Sequence, residues 1–149
     1  MLRLYSSTSQ PTLIMPLTLL PKKILARQHE ITADFTRIVH AHVDDLVAGR
    51  ATEALEIRDF AGQMCIHPTH LSNTLKLTTG EAPCAIYERK LVAVSKELLA
   101  DPQQSVAAVA AQLTYDPSNF TKFFKRFVGI TPRQYREELW AERPASIVL

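Results

Sequence analysis

Cysteine and glycine are scarce in this sequence, and long apolar stretches are missing. The two cysteines among 149 residues, Cys65 and Cys84, are too few for a disulfide framework, which indicates a reducing compartment. Neither has metal-ligand spacing to a histidine. No apolar stretch approaches the roughly 20 residues that a membrane span requires, so the sequence predicts a soluble protein.

Patterns of catalysis are also missing. The sequence has no Gly-rich phosphate loop, no nucleophile elbow and no paired-carboxylate pattern. What it does have is 46% hydrophobic and 21% charged residues, which is enough apolar material for one core or two small ones. We therefore expect a globular protein that is not an enzyme and that holds no cofactor and no metal.

Residues 1–32 differ in composition from the rest of the chain. They are basic and Ser-rich, with no acidic residue before Glu30. We interpret them as an irregular basic extension. Two alternatives stay open, because such a composition is also typical of an organellar transit peptide and the stretch LIMPLTLL weakly resembles an export signal.

From residue 33 onward the apolar residues recur at helical spacing. Phe35, Ile38, Val39 and Leu46 predict an amphipathic helix that ends near Gly49. A short helix and a second helix beginning at Pro68 follow, and residues 82–100 form a longer one. No strand pattern competes, so the sequence predicts an all-α fold of about seven helices.

A two-helix unit occurs twice in the sequence, with equivalent residues 49 positions apart. Ala61 matches Ala110, and Pro68 matches Pro117 at the start of each second helix. This pattern is typical of a duplicated helix-turn-helix. We place the first unit at 33–80, the linker helix at 82–100, the second unit at 105–141 and a tail at 142–149.

Basic side chains are concentrated in the second unit. No carboxylate occurs between Pro117 and Arg136, a segment that contains Lys122, Lys125, Arg126, Arg133 and Arg136. The net charge of the whole chain is only +2, so this charge is localised. A local excess of positive charge is what a surface facing nucleic-acid phosphates needs.

The stretch PSNFTKFFKRFVGITPRQYR resembles the signature of the AraC/XylS-type transcription regulators, and the resemblance covers about residues 57–136. It implies seven helices, two recognition helices near 68–77 and 117–127, and monomeric binding to successive major-groove segments of double-stranded DNA. It also implies activation of transcription through contact with RNA polymerase. Most of the family carries an effector-binding domain before this region, so the chain is either a stand-alone member or part of a larger regulator, and we expect no effector to bind to it.

Three positions in the helix-turn-helix units depart from the family pattern. Cys65 and Thr114 stand in the two turns where relatives usually carry glycine. A left-handed backbone is costly for both residue types, so we expect turns of another kind. His67 stands where serine commonly caps the first recognition helix.

The residue types on the two recognition helices suggest roles in binding DNA. Asn can pair with adenine and Lys with guanine in the major groove, and basic side chains suit phosphates. We assign base reading to Thr69, Ser72, Asn73, Ser118, Asn119 and Lys122. We assign phosphate binding to Lys76, Lys125, Arg126 and Arg133.

The sequence thus predicts a cytoplasmic, nucleoid-associated transcription regulator, an activator, that reads two adjacent major-groove segments. The alternative is a helical protein-interaction module whose basic face binds an acidic partner without DNA. Selection of a motif from random duplexes would separate the two, because only the first should select one.

Overall fold

Seven α-helices lie within residues 21–143, the part of the chain that this computed structural model describes. In chain order they are α1 (Lys22–Val47), α2 (Ile57–Gln63), α3 (Pro68–Thr79), α4 (Pro83–Leu99), α5 (Val106–Gln112), α6 (Pro117–Val128) and α7 (Pro132–Ala141). No strand occurs within this range. The predicted all-α fold of two helix-turn-helix units joined by a long helix is confirmed.

Helix α1 begins at Lys22, so the prediction of an irregular segment through residue 32 is wrong for residues 22–32. The reason is that the apolar face continues toward the N-terminus, where Ile31 is buried one turn before Phe35. A hydrogen bond of 2.7 Å between the hydroxyls of Thr32 and Thr78 also ties this part of α1 to α3. Residues 1–20, on which the transit-peptide and export-signal alternatives mainly rest, lie outside the described residues, as do residues 144–149 of the predicted tail.

The ends of the helices follow from local sequence signals. Pro68 and Pro117 occupy the first positions of α3 and α6, where a missing backbone N–H costs nothing. Gly80 and Gly129 end the same two helices in the left-handed conformation, with φ of 76° and 91°. These signals give the two helices equal lengths of 12 residues.

The start of α7 confirms the predicted capping box. The backbone N–H of Thr131 donates to Oε1 of Gln134 over 2.9 Å, and the backbone N–H of Gln134 donates to the Thr131 hydroxyl over 3.2 Å. Both groups would otherwise lack partners within the helix. The box fixes the direction in which α7 leaves α6.

Buried side chains form two clusters, one for each unit. The first surrounds Phe60 between α1, α2 and α3, and the second surrounds Phe120 and Phe124 between α4, α5 and α6. Ala61 and Ala110 are fully buried at the elbows of the two units, where a larger side chain would separate the helices. The small residues therefore set the angle at which each second helix projects.

Helices α1 and α4 contribute to both clusters. In α1, Phe35 and Val39 belong to the first cluster and Val43 to the second, while in α4 Ile86 belongs to the first and Leu91 to the second. Lys90 of α4 also pairs with Asp44 of α1 at 3.0 Å. These two helices hold both recognition helices in one packed body.

Candidate nucleic-acid interface

The turns of both units have a left-handed residue, contrary to our expectation of another kind of turn. Cys65 has φ of 55° and Thr114 has φ of 66°. In each turn the backbone N–H of the next residue donates to a carbonyl five positions earlier in the preceding helix. The bond from Ile66 to Ala61 is 3.0 Å long, and the bond from Tyr115 to Ala110 is 2.8 Å long. This six-to-one bond defines a Schellman motif, which requires the left-handed conformation whichever residue occupies it.

Packing explains why this motif forms without glycine. Ile66 and Tyr115, the residues that follow the left-handed positions, pack against the first and second clusters respectively. The burial of these side chains, together with the turn hydrogen bonds, offsets a cost of about 1–2 kcal/mol for a non-glycine residue in this region. Thr114 is the more strained of the two because its side chain is β-branched.

The recognition helices α3 and α6 begin with different capping residues. His67 caps α3 through Nδ1, which accepts from the backbone N–H of Thr69 at 3.2 Å. Asp116 caps α6 through a carboxylate that accepts from the N–H groups of Ser118 and Asn119 at 3.0 and 3.4 Å. An imidazole therefore replaces the commoner serine cap of the first unit and makes one bond where the carboxylate makes two.

Most of the predicted base-reading side chains are exposed. Thr69 and Asn73 lie on the open face of α3, and Ser118, Asn119 and Lys122 lie on that of α6. Ser72 is half-buried and is therefore less accessible than the other five. Their contacts with bases stay a prediction.

The predicted phosphate-binding residues fall into two groups. Lys76 and Lys125 are exposed, and within the described residues neither has an ion-pair partner. Arg133 is exposed and pairs with Glu137 at 3.1 Å on the surface of α7. Arg126 pairs with Glu88 of α4 at 2.9 Å, and its guanidinium lies 4.6 Å from the ring centroid of Phe127.

The five cations of the second unit are therefore not equally available to a ligand. Arg136, counted in the basic segment, donates from Nε to the Leu99 carbonyl at 3.0 Å and stacks on Trp140 at 5.6 Å. This contact ties α7 to the end of α4. Lys122 and Lys125 remain as the cations on α6 whose charge is not already compensated by a neighbour in the described residues.

Glu88 and Tyr115 are site residues that the sequence did not reveal. Tyr115 stacks on Phe123 with ring centroids 5.1 Å apart, and burial raises the pKa of its hydroxyl, as does the nearby Glu88 carboxylate, while Arg126 lowers it. Phe123 is itself buried. The contact between Glu88 of α4 and Arg126 of α6 joins residues 38 positions apart, so no local sequence pattern indicates it.

Tyr87 of α4 packs against both buried clusters. Burial raises the pKa of its hydroxyl to about 12, and Tyr115 contributes to the same direction. The group is therefore neutral at physiological pH and acts in packing. Its ring lies 5.6 Å from that of Phe60.

The described residues contain neither a metal-binding cluster nor a helix suited to a membrane. No group of three or more His, Cys, Asp or Glu side chains converges between residues 21 and 143. Within the same part of the chain, no helix combines the length and the apolar character of a membrane span.

Comparison with protein families gives a match over residues 60–138 to a family described as a helix-turn-helix domain. Among individual relatives, an HTH-type transcriptional regulator of Mycobacterium tuberculosis is 31% identical over 90 residues, which is 60% of this chain and 35% of that protein. The regulatory protein PocR of Salmonella typhimurium is 26% identical over 104 residues, 69% of this chain and 32% of its own length. The chain thus spans about a third of the length of these relatives. Both are named as regulators, in agreement with the class of protein that the sequence predicted.

Solved structures share the fold. A transcriptional regulator with an AraC-type DNA-binding domain from Chromobacterium violaceum has a TM-score of 0.63 at 18% identity, covering 80% of this chain and 98% of that one. The C-terminal domain of the response regulator AraT from Geobacillus stearothermophilus has a TM-score of 0.63 at 21% identity, covering 72% and 84%. At these identities the similarity shows that the helices are arranged in the same fold.

Proposed function

Because the chain belongs to the AraC-type helix-turn-helix family, we propose that it is a sequence-specific DNA-binding transcription regulator. The observation that carries the proposal is the pair of 12-residue helices α3 and α6, each begun by a proline, ended by a left-handed glycine and with polar side chains on an open face. A helix of this kind fits the major groove. Two of them, fixed by α1 and α4, read two adjacent groove segments about 34 Å apart on one face of the duplex.

In this proposal the exposed side chains divide between two tasks. Base edges are read from α3 by Thr69, Ser72 and Asn73, and from α6 by Ser118, Asn119 and Lys122. Phosphates are held by Lys76, Lys125, Arg126 and Arg133. Arg126 exchanges the Glu88 carboxylate for a phosphate on binding, which makes it a weaker clamp than the uncompensated Lys125.

We further propose that the outcome of binding is activation through contact with RNA polymerase, and that the chain acts in the cytoplasm at the nucleoid, where its target lies. The family membership supports a regulator of transcription, and activation is its usual mode. No effector ligand is assigned to residues 21–143.

Selection from random duplexes tests the proposal, because the full chain should enrich one motif that spans two groove segments. Lys125→Ala should weaken binding to all duplexes alike and make the dependence of log K on log salt shallower by about one unit. Lys122→Ala should instead relax the base preference at one position. Arg37→Ala, an exposed cation of α1, is the matched control and should change neither.

Two results would contradict the proposal. One is binding that is indifferent to salt, since phosphate contacts release counterions. The other is retention of an acidic protein with no motif enriched, which is the behaviour of the interaction module.

A further inference from the structure

Resting on the proposed function, we infer that His70 of α3 is a base-reading residue that recognises a purine. The 49-residue register of the repeat places His70 at the position of Asn119 in α6. Asn119 is among the predicted base readers, whereas His70 is not. The two positions should be accessible to DNA in the same way if the helices are equivalent.

The structure supports that equivalence at both ends and on the buried side. Each helix starts at a proline and ends at a left-handed glycine. The residues that follow His70 and Asn119, Leu71 and Phe120, are both fully buried and fix the rotation of the helix about its axis. His70 and Asn119 therefore occupy the same place on the same face.

The side chain of His70 is available for a ligand. It is exposed, and no hydrogen bond or ion pair within residues 21–143 engages its ring. Asn73 lies three positions after His70 and four after Thr69, spacings at which side chains are neighbours on a helix surface. His70 thus lies beside the predicted base reader Asn73.

Ser72 is less suited to the same task. It is half-buried, and its equivalent Thr121, also half-buried, donates its hydroxyl to the carbonyl of Pro117 at 3.0 Å. In the second unit this position therefore turns back toward its own helix. His70 is exposed, whereas Ser72 is half-buried.

The chemistry of imidazole points to a purine. A neutral histidine carries one ring N–H, and guanine and adenine both present N7 as an acceptor in the major groove. Asn119 has an amide, which suits the donor and acceptor pair of adenine. Two helices with the same backbone would then read different bases, which gives the bound site a direction.

The test uses the full chain, its selected motif and duplexes in which single purines of the first unit's half are replaced by 7-deazapurines. The wild type should lose roughly fivefold in affinity at one such position beyond any adenine that Asn73 reads, the lower end of what a specific base contact contributes. His70→Ala should bind the natural duplex and the duplex with 7-deazapurine at that position equally, with its salt slope unchanged. His40→Ala, an exposed histidine of α1, should behave as the wild type.

The outcomes separate the inference from the proposed function. Absence of any motif for the wild type would overturn both. A wild-type motif with a His70→Ala protein that still distinguishes the 7-deaza duplex would overturn the inference alone. So would a uniform loss with a shallower salt slope, which marks a phosphate contact. His70→Asn, which copies Asn119, should shift the base preference at that position toward adenine. Denaturation midpoints equal to that of the wild type would show that the variants fold.

Discussion

The two helix-turn-helix units have the same helix lengths and the same turn hydrogen bonds, yet different side chains fill them. The first packs Leu71 and Leu75 beside Thr74, and the second packs three phenylalanines at the same positions, Phe120, Phe123 and Phe124. What the units share is an elbow alanine, a left-handed turn and a proline. These few positions therefore specify the unit, while its core tolerates either aliphatic or aromatic side chains.

The open faces differ as well. On α3 the exposed side chains are mostly neutral, with Lys76 as the cation, whereas α6 exposes Lys122, Lys125 and Arg126. The second unit therefore contributes more of the salt-dependent attraction to DNA under the proposed function. The first contributes mainly hydrogen-bonding groups.

Truncation of buried side chains in the two cores should have the largest effect on the free energy of unfolding. Phe124→Ala should lower the free energy of unfolding by about 3–5 kcal/mol and Leu75→Ala by about 2–5 kcal/mol, because both side chains are fully buried. Urea denaturation measures both. Phe127→Ala, at an aromatic residue that is 43% exposed, is the control and should cost far less. A loss below about 1 kcal/mol for Phe124→Ala would mean that the second core does not depend on its aromatic packing.

Glycine in the turns should have the next largest effect and should be stabilising. Thr114→Gly relieves a β-branched residue at φ of 66° and should raise the free energy of unfolding by about 1 kcal/mol, with a smaller gain for Cys65→Gly. Thermal denaturation would show both as higher midpoints. Ala111→Gly, at a helical position of α5, should instead destabilise by about 0.5–1 kcal/mol. Destabilisation by Thr114→Gly would contradict the strain assigned to this turn.

Removal of the capping side chains of the recognition helices should have a smaller effect on the free energy of unfolding. The size of this effect should differ between the two units. Asp116→Ala should cost about 1 kcal/mol, because it removes two hydrogen bonds and a negative charge at the N-terminus of α6. His67→Ala should cost less, since one neutral bond is lost. Asp116→Asn keeps a capping side chain and should retain most of the stability measured in urea. Equal costs for the two alanine variants would show that the cap type is unimportant.

The pH dependence of stability should show the smallest effect, and it arises beside the first unit. Burial lowers the pKa of His42 from its ordinary 6.5, with the Asp45 carboxylate acting in the opposite direction, and Nε2 accepts from the Leu55 N–H at 3.3 Å. The unfolded chain then binds a proton more readily than the folded one. Stability is fully present above about pH 6.5 and falls below it until the lowered pKa of the folded state is reached.

His42→Gln keeps an acceptor that does not titrate in this range. The difference in free energy of unfolding between wild type and variant should therefore change between pH 7 and pH 5, although carboxylates titrate in both. A constant difference would show that His42 is not held neutral by the fold.

Much of this fold could be predicted because its signals are local. The helix-starting prolines and the capping box at Thr131 each lie within a few residues, and the repeat is a comparison of two such local patterns 49 positions apart. The AraC-type family, which the stretch PSNFTKFFKRFVGITPRQYR resembles, is the family to which the chain belongs. The start of α1 was not predicted, because a basic composition obscured the buried position of Ile31. The turns at Cys65 and Thr114 were misjudged because intrinsic preference yields to the burial of the residue that follows.

The candidate site was less predictable than the fold. Exposure of Asn73 and Lys122 follows from helical periodicity, and the structure agrees. The engagement of Arg126 with Glu88 and of Arg136 with the Leu99 carbonyl depends on contacts 38 and 37 positions apart. A count of charges along the sequence cannot distinguish a cation that faces solvent from one that braces two helices.

The sharing of α1 and α4 between the clusters bears on whether the chain can be divided. Of the ten buried residues around α6, four come from these helices, namely Val43, Leu91, Val94 and Leu99. A fragment that began in the 101–105 loop would leave the apolar sides of α5 and α6 open to water. Cleavage there would yield a peptide that lacks four of the ten buried residues of the second cluster. Melting of the intact chain should therefore pass through a single cooperative transition.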